Sequence, residues 1–407
     1  MSLEPETPFN ISVPDDDIAF LHRKIADTRY PDELNDVNWD YGVPLSEVKR
    51  LANKWKDGYD WRAQERELNK LPMFTRDIEV DGFGALNVHY IHQKSTAKNA
   101  IPLLFSHGWP GSFIEVIKIL PILTATEPGH PSFHVVAPSL PGCAWSDAPS
   151  KRGFRVKQYA EKPKLFHKLM LSLGYTEYVT QGGDWGQFVT RVMASQYGPK
   201  HVKAAHTNFP RAAPISFWRN PVLYVKHLVT PYTPRELEGL ALLNAFQTRG
   251  NAYFLLQATR PQTLGYSLAD SPVGMLAWIY EKLFQWTDDY PWTDEEVLTW
   301  LSIYWFSRAG PAASLRIYYE TVGTGDVANK DLRQVDVPYG ISFFPKEIGI
   351  SPRVLLHAEA NVVFESEHAQ GGHFAAYEKP EALADDLRRM FGRGGPAAGV
   401  VPGLDGY

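Results

Sequence analysis

Cysteine is nearly missing from this chain of 407 residues, in which Cys143 stands alone. One thiol can neither close an internal disulfide nor supply a C-x-x-C metal spacing, so a reducing compartment and a fold held by its own core are expected. No run of apolar residues is long enough to span a bilayer, and the opening Met1-Ser2-Leu3-Glu4-Pro5-Glu6 is too acidic and polar for a secretory leader. A water-soluble, cytoplasmic protein without a membrane span is the expectation. An excess of positive charge is missing too. With 41 Lys and Arg against 46 Asp and Glu the net charge is −5, which argues against nucleic acid as the main partner. No internal repeat is found, so a repeat architecture is excluded.

What is abundant is aromatic. Hydrophobic residues make up 44% and aromatics 13%, with 12 Trp and 20 Tyr, a balance that fits a globular protein with an aromatic-rich pocket and not a disordered chain. The length exceeds one average domain, yet a single catalytic core carrying a lid and an extra arm accounts for all of it.

The chain turns on Gln181-Gly182-Gly183-Asp184-Trp185-Gly186-Gln187. Tyr178-Val179-Thr180 reads as a short buried strand, and residues 188–197, with Val189, Val192 and Met193 at helical spacing, read as a helix. Between them, glycines on both sides of Asp184 let the backbone turn sharply and lift one side chain above the sheet, as in the nucleophile elbow of the α/β-hydrolase plan. The lifted residue is Asp184, not serine or cysteine. A carboxylate nucleophile forms an alkyl ester, so it calls for a saturated carbon as electrophile and not a carbonyl. On these residues alone a tight turn with Asp as a helix N-cap is an equal alternative.

Before the elbow, residues 8–74 are helical and charged. Val13-Pro14-Asp15-Asp16-Asp17 opens one helix with Ile18, Leu21, His22 and Ile25 on one face, and Leu45-Ser46-Glu47-Val48 opens another with Leu51 and Trp55 on its stripe. Trp39, Tyr41, Tyr59 and Trp61 are expected to fix this arm against something larger. Strands follow at 76–80, 86–92, 101–106 and 133–138, the first two joined by a hairpin turn. The strand at 101–106 ends in His107-Gly108-Trp109-Pro110-Gly111, which leaves the Trp109 N–H at the end of the sheet as an oxyanion donor, while His107 reads as structural.

Residues 214–324 are helical and aromatic, with Thr233-Pro234-Arg235-Glu236 as a capping box, and make a natural lid. Strand character returns at 339–344 and 354–357, and a last helix covers 381–391. The chain thus divides into an arm with the first strands (1–95), a first part of the core (96–212), a lid (213–325), a second part of the core (326–395) and a loose tail (396–407). The expected fold class is an α/β-hydrolase fold, a doubly wound, mostly parallel sheet with a helical lid insertion and an N-terminal helical arm.

Chain order supplies the remaining chemistry, since a nucleophile, an acid beyond a later strand and a histidine in a loop after the last strand follow one another as in hydrolases. His373, between Gly372 and Phe374, can reach over the sheet to activate water. For the acid, Glu347 stands just beyond a strand in Phe343-Phe344-Pro345-Lys346-Glu347 and is favoured over Asp336, Glu359, Glu365 and Glu367. No metal or organic cofactor is called for.

Taken together these residues resemble the epoxide hydrolases of the microsomal type, which carry an N-terminal arm before an α/β-hydrolase core. The likeness covers nearly the whole chain: PFNISVPDDDI, TRYPDE, WDYG and YDWRAQERELN in the arm, HGWPGS, GGDWG, FFPKE and GGHFAAYEKPE in the core, and DSPVGMLAWIYEKLFQWT in the lid. The resemblance implies Asp184 as nucleophile, His373 as base, Glu347 as its charge-relay acid, the Trp109 and Trp185 N–H groups as oxyanion hole, and two lid tyrosines polarising the epoxide oxygen. Tyr318 in SLRIYYE matches one of these, with Tyr319 a close rival, and Tyr253 in NAYFLLQ matches the other. A small epoxide and water are the implied partners, a vicinal diol the product, and a homodimer the candidate assembly. The loop PGCAWS departs from the family's more usual PGYGFS, a change at one wall of the pocket. Haloalkane dehalogenase, an epoxide-opening cyclase and a non-catalytic binding protein on a hydrolase frame are the rival readings.

Overall fold

The computed structural model describes residues 5–160, 165–213, 215, 217–218, 220–323 and 334–407. Among them one sheet contains β1 (Thr7–Pro8), β2 (Met73–Val80), β3 (Gly84–Gln93), β4 (Ile101–Ser106), β5 (Phe133–Pro138), β6 (Tyr178–Gly182), β7 (Val202–Thr207), β8 (Val335–Phe343) and β9 (Ala360–Glu367). Their order across the sheet is β1-β2-β3-β5-β4-β6-β7-β8-β9. The β1/β2, β2/β3 and β3/β5 pairs are antiparallel, and every pair from β5 through β4 to β9 is parallel. This is the α/β-hydrolase fold. Every residue of Ile-Pro-Leu-Leu-Phe-Ser in β4 is buried, as a strand covered on both faces requires.

The arm consists of α1 (Asp15–Ala26), α2 (Leu45–Asp57) and α3 (Trp61–Leu68). Helix α4 (Trp185–Tyr197) follows β6. Between β7 and β8 come α5 (Pro221–Val229), α6 (Pro234–Ala245), α7 (Ala252–Thr259), α8 (Pro261–Asp270), α9 (Pro272–Gln285) and α10 (Asp294–Trp305). The expected capping box opens α6: the Thr233 side chain accepts from the Glu236 N–H while the Glu236 carboxylate accepts from the Thr233 N–H. Helix α11 (Arg353–Glu359) precedes β9, and α12 (Pro380–Phe391) is the last helix.

The arm's larger partner is the helical stretch between β7 and β8. Trp55 Nε1 donates to Ser302 Oγ at 3.0 Å, Tyr59 and Thr299 share a 3.0 Å hydrogen bond, and Arg50 pairs with Asp294 at 2.7 Å. The Trp39 ring stacks on Phe284 at 3.8 Å, and Trp61 lies 5.2 Å from Phe306. Tyr41 departs from the expectation for arm aromatics, for it is 77% exposed.

Two further expectations are corrected. Residues 354–357 are not a strand but lie inside α11, and the strand is β9, paired parallel with β8. A short apolar run after proline suits either state. Here Pro352 takes the N-cap position and Leu356 alone in the helix is buried, so the first helical turn wins. The tail is docked, not loose. Gly406 accepts the Ser132 N–H at 2.8 Å and donates to Asn99 at 2.7 Å, while Ala397 and Val401 are buried. The expected lid limits at 214 and 324, and the division at 325/326, lie outside the described residues.

Candidate active site

Asp184 sits at the sharp corner between β6 and α4 with φ 48° and ψ −124°. A non-glycine residue in that region costs about 1–3 kcal/mol and persists only where its surroundings leave no alternative. Here close packing leaves none: a Cβ on Gly186 would lie 2.0 Å from the Ser106 carbonyl oxygen, so only glycine lets α4 approach β4. Asp184 holds the N-cap position of α4, but not as a plain cap. The Asp184 side chain makes no capping bond to α4, and its Oδ1 instead accepts the Trp109 N–H at 2.9 Å. Burial pushes the Asp184 carboxyl up from its ordinary value, and His373 with the Trp109 and Trp185 N–H groups pulls it partway back.

His373 lies in the loop after β9. Its Nδ1 faces Glu347 Oε1 at 2.6 Å, and its Nε2 is 3.6 Å from Asp184 Oδ2, too long for a direct hydrogen bond. The loop is clasped from above. His373 donates its backbone N–H to the Trp286 carbonyl at 2.8 Å, the Gly371 N–H goes to Asp288 at 2.8 Å, and a Cβ on Gly372 would meet the Trp286 oxygen at 2.4 Å. Burial alone would push the imidazole down. The carboxylates of Glu347, Asp184 and Glu115 outweigh it and hold His373 at about 9.

Glu347 is fully buried and also accepts the Ile348 N–H at 2.7 Å. Its rivals are engaged elsewhere: Glu359 pairs with Arg191, Glu365 with Arg353 and His357, Glu367 with Arg235 and Arg353, and Asp336 is exposed. His107 is structural, as read. Its Nε2 accepts the Leu140 N–H at 3.0 Å, its Nδ1 lies 2.8 Å from the Gly108 carbonyl, and burial holds it down to about 4.

The two tyrosines meet at Trp109. The Tyr253 ring stacks on Trp109 at 5.4 Å, and Tyr318 stands edge-on to it at 5.6 Å and to Trp185 at 4.8 Å. Both phenols are buried, and burial together with the Asp184 charge pushes them well above their ordinary value, so they remain protonated donors. Tyr319 faces the other way, where its hydroxyl accepts from Arg152 at 3.3 Å. In the PGCAWS loop, Cys143 and Trp145 are buried, with Trp145 packed against Phe113 at 5.7 Å.

The family profile described as epoxide hydrolase N terminus matches residues 6–116, and that of the alpha/beta hydrolase fold matches residues 101–261. Epoxide hydrolase 1 of Sus scrofa is 36% identical over 415 residues, covering 95% of this chain and 88% of its own length. The chain belongs to the epoxide hydrolase family. Solved structures agree: the Aspergillus niger epoxide hydrolase superposes with TM-score 0.80 at 34% identity over 95% of both chains. The juvenile hormone epoxide hydrolase of Bombyx mori gives 0.83 at 30% identity, covering 94% of this chain and 93% of that one.

Sequence reasoning about this epoxide hydrolase passes over Glu115 and Arg211. The signal for Glu115 is a carboxylate inside the apolar run Phe113-Ile114-Glu115-Val116. Its carboxyl fills the space a side chain on Gly111 would need, and its Oε1 lies 3.4 Å from the Gly108 N–H. Burial raises it from 4.5 to about 8, with His373 opposing. Arg211 is a cation held beside Glu347, Tyr253 and Asp184, with burial drawing its affinity for the proton down.

The raised Glu115 value has a consequence for stability. Between 4.5 and about 8 the native state keeps a proton that the unfolded chain has released. Its contribution is therefore fully present below about 4.5 and is lost as pH rises toward 8, at up to about 1 kcal/mol per pH unit. Glu115→Gln is expected to flatten this fall. Urea unfolding of both proteins across that range checks it, and parallel curves would contradict it.

Proposed function

We propose that this enzyme opens an epoxide to a vicinal diol through a covalent ester on Asp184. What supports the reading is convergence: an aspartate on an elbow, a histidine paired with a buried glutamate, and two protonated phenols gathered around one tryptophan. In the first step Tyr253 and Tyr318 donate hydrogen bonds to the ring oxygen while an Asp184 oxygen attacks a ring carbon. The ring C–O bond breaks, a phenol proton passes to the alkoxide, and a hydroxyalkyl ester remains on Asp184.

In the second step His373 Nε2 takes a proton from water, whose oxygen adds to the ester carbonyl. The N–H groups of Trp109 and Trp185 hold the oxyanion; its collapse breaks the ester C–O bond, the diol oxygen leaves with the proton of the added hydroxyl, the carboxylate is restored, and the proton on His373 returns to the phenolate left by the first step. Esterification also removes the Asp184 charge, one of the charges that hold His373 up. The imidazole's proton affinity falls at the moment it must act as a base.

A dehalogenase would need side-chain donors for a halide after His-Gly, commonly an Asn, and here Trp109 occupies that place. A cyclase would need a substrate that brings its own hydroxyl to the opened ring. The test is one turnover in heavy-oxygen water, with enzyme in excess over a styrene-type oxide. The ester route sends the label into Asp184 and leaves the first diol unlabelled, so a labelled first diol would sink it. Bromide release from a bromoalkane without diol formation from the oxide would hand the site to a dehalogenase.

A further inference from the structure

Helix α9 buries a lysine. Lys282 is 4% exposed, although an unbranched apolar side chain would fill the same place without taking an ammonium out of water. The ammonium has three N–H donors, and Glu281, its neighbour in the chain, is its one hydrogen-bond partner among the described residues. Glu281 is set against the arm, for a Cβ on Gly42 would lie 3.3 Å from its Oε2. The rest of the ammonium meets aromatic faces. Lys282 Nζ stands over the Tyr253 ring, 4.8 Å from its centroid, and over the Trp278 ring at 5.6 Å.

Tyr253 is otherwise enclosed by rings, with Trp109 at 5.4 Å, Trp286 at 5.2 Å and Tyr318 at 6.2 Å. A phenol so placed holds its proton tightly. Burial and the charges of Asp184 and Glu347 strengthen that hold, and a hydrogen bond with Tyr318 and the Arg211 cation oppose them. Donation to an oxygen that turns into an alkoxide moves negative charge onto the donor ring. We infer that Lys282 is a positioning residue for ring opening: its ammonium, fixed over the Tyr253 ring by Glu281, stabilises the negative charge that gathers there as the hydroxyl proton shifts to the epoxide oxygen. In the resting phenol the ammonium faces a neutral ring, and in the transition state a partly anionic one. The attraction therefore grows along the reaction and lowers the barrier. Lys282 neither gives nor takes a proton. This role rests on the reading of Tyr253 as a donor to the epoxide oxygen, and it gives Lys282 no part in the attack of water on the ester.

The test follows ester formation and ester decay by mass spectrometry in a His373→Gln background, where the ester accumulates, after mixing with a styrene-type oxide. Lys282→Met and Lys282→Gln, the second of which keeps a donor for Glu281, are each expected to slow ester formation about tenfold. Decay of the formed ester is expected to stay within about twofold. Lys282→Arg, which keeps a cation over the ring, is expected to recover most of the loss. The decisive comparison is a cycle with Tyr253→Phe, whose ring still receives the ammonium but carries no hydroxyl. In that background the Lys282 substitutions are expected to change ester formation by less than about twofold. The same loss with and without the hydroxyl, or an equal slowing of formation and decay, would make Lys282 a packing residue and overturn its role. Full rates in both Lys282 variants beside a slow Tyr253→Phe would overturn it too, while leaving Tyr253 a donor. Ester formation as fast in Tyr253→Phe as with the phenol would instead overturn the reading of Tyr253, and the role of Lys282 with it.

Discussion

Asp184→Asn is expected to lower turnover of a styrene-type oxide by on the order of 10⁴-fold or more. The substitution keeps the shape of the corner, since an amide oxygen can still accept the Trp109 N–H that Asp184 Oδ1 accepts at 2.9 Å. It removes the charge that makes the oxygen a nucleophile toward saturated carbon. Burial already holds the Asp184 carboxyl above its ordinary value, so the site has little screening water to substitute for that charge. Steady-state rates of the two proteins, with matching circular dichroism, decide the matter. A rate within tenfold of wild type would remove the ester from the mechanism and leave the phenols to activate the epoxide for direct attack by water.

The second large effect concerns His373→Gln, which is expected to spare ester formation and to slow ester hydrolysis by about 10²–10⁴-fold. The asymmetry follows from position: Tyr253 and Tyr318, to which the proposed mechanism gives the first step, gather at Trp109, whereas His373 Nε2, its proposed base, faces the Asp184 carboxyl. Mass spectrometry after mixing the variant with a panel of epoxides should show the protein heavier by one epoxide, with the adduct on Asp184. No adduct with any epoxide that the wild type consumes would contradict the assignment. The pH dependence carries a matching sign. In the free enzyme His373 is held at about 9, and loss of the Asp184 charge on esterification lowers it. Hydrolysis in the wild type should therefore accelerate as pH rises through a value below about 9, while ester formation shows no such rise. A hydrolysis rate that is flat over that range would count against His373 as the base.

The pattern of success along the chain has a physical basis. The elbow was legible because its determinants are neighbours in sequence, a short strand, close-set glycines and an amphipathic helix within twenty residues. The meeting of His373 with Glu347 was legible through chain order, which topology imposes on any sheet of this kind. The choice of Glu347 over Glu359 or Glu365 rested on its place beyond a strand, and the ion pairs that engage the others appear only once α4 and α11 are folded beside them. The strands β7 and β9 were not picked out. Val-Lys-Ala-Ala-His-Thr lacks the β-branched run that marks a strand, and the apolar turn of α11 just before β9 imitates one.

Glu115 and Arg211 mark the limit of such reading. Each is an ordinary charged residue in sequence, and each acquires meaning from groups far along the chain, His373 and Asp184 in one case and Glu347, Tyr253 and Asp184 in the other. Tyr318 and Tyr319 differ by one position, yet one reaches Trp109 and Trp185 while the other meets Arg152. Local patterning was enough for the architecture, the elbow that carries Asp184 and the chain order of Asp184, Glu347 and His373, because periodicity, glycine placement and chain order are properties of short stretches. Burial, proton affinity and the facing of each phenol came only from the folded neighbours, because they depend on what surrounds a side chain in space and the sequence records only what precedes and follows it.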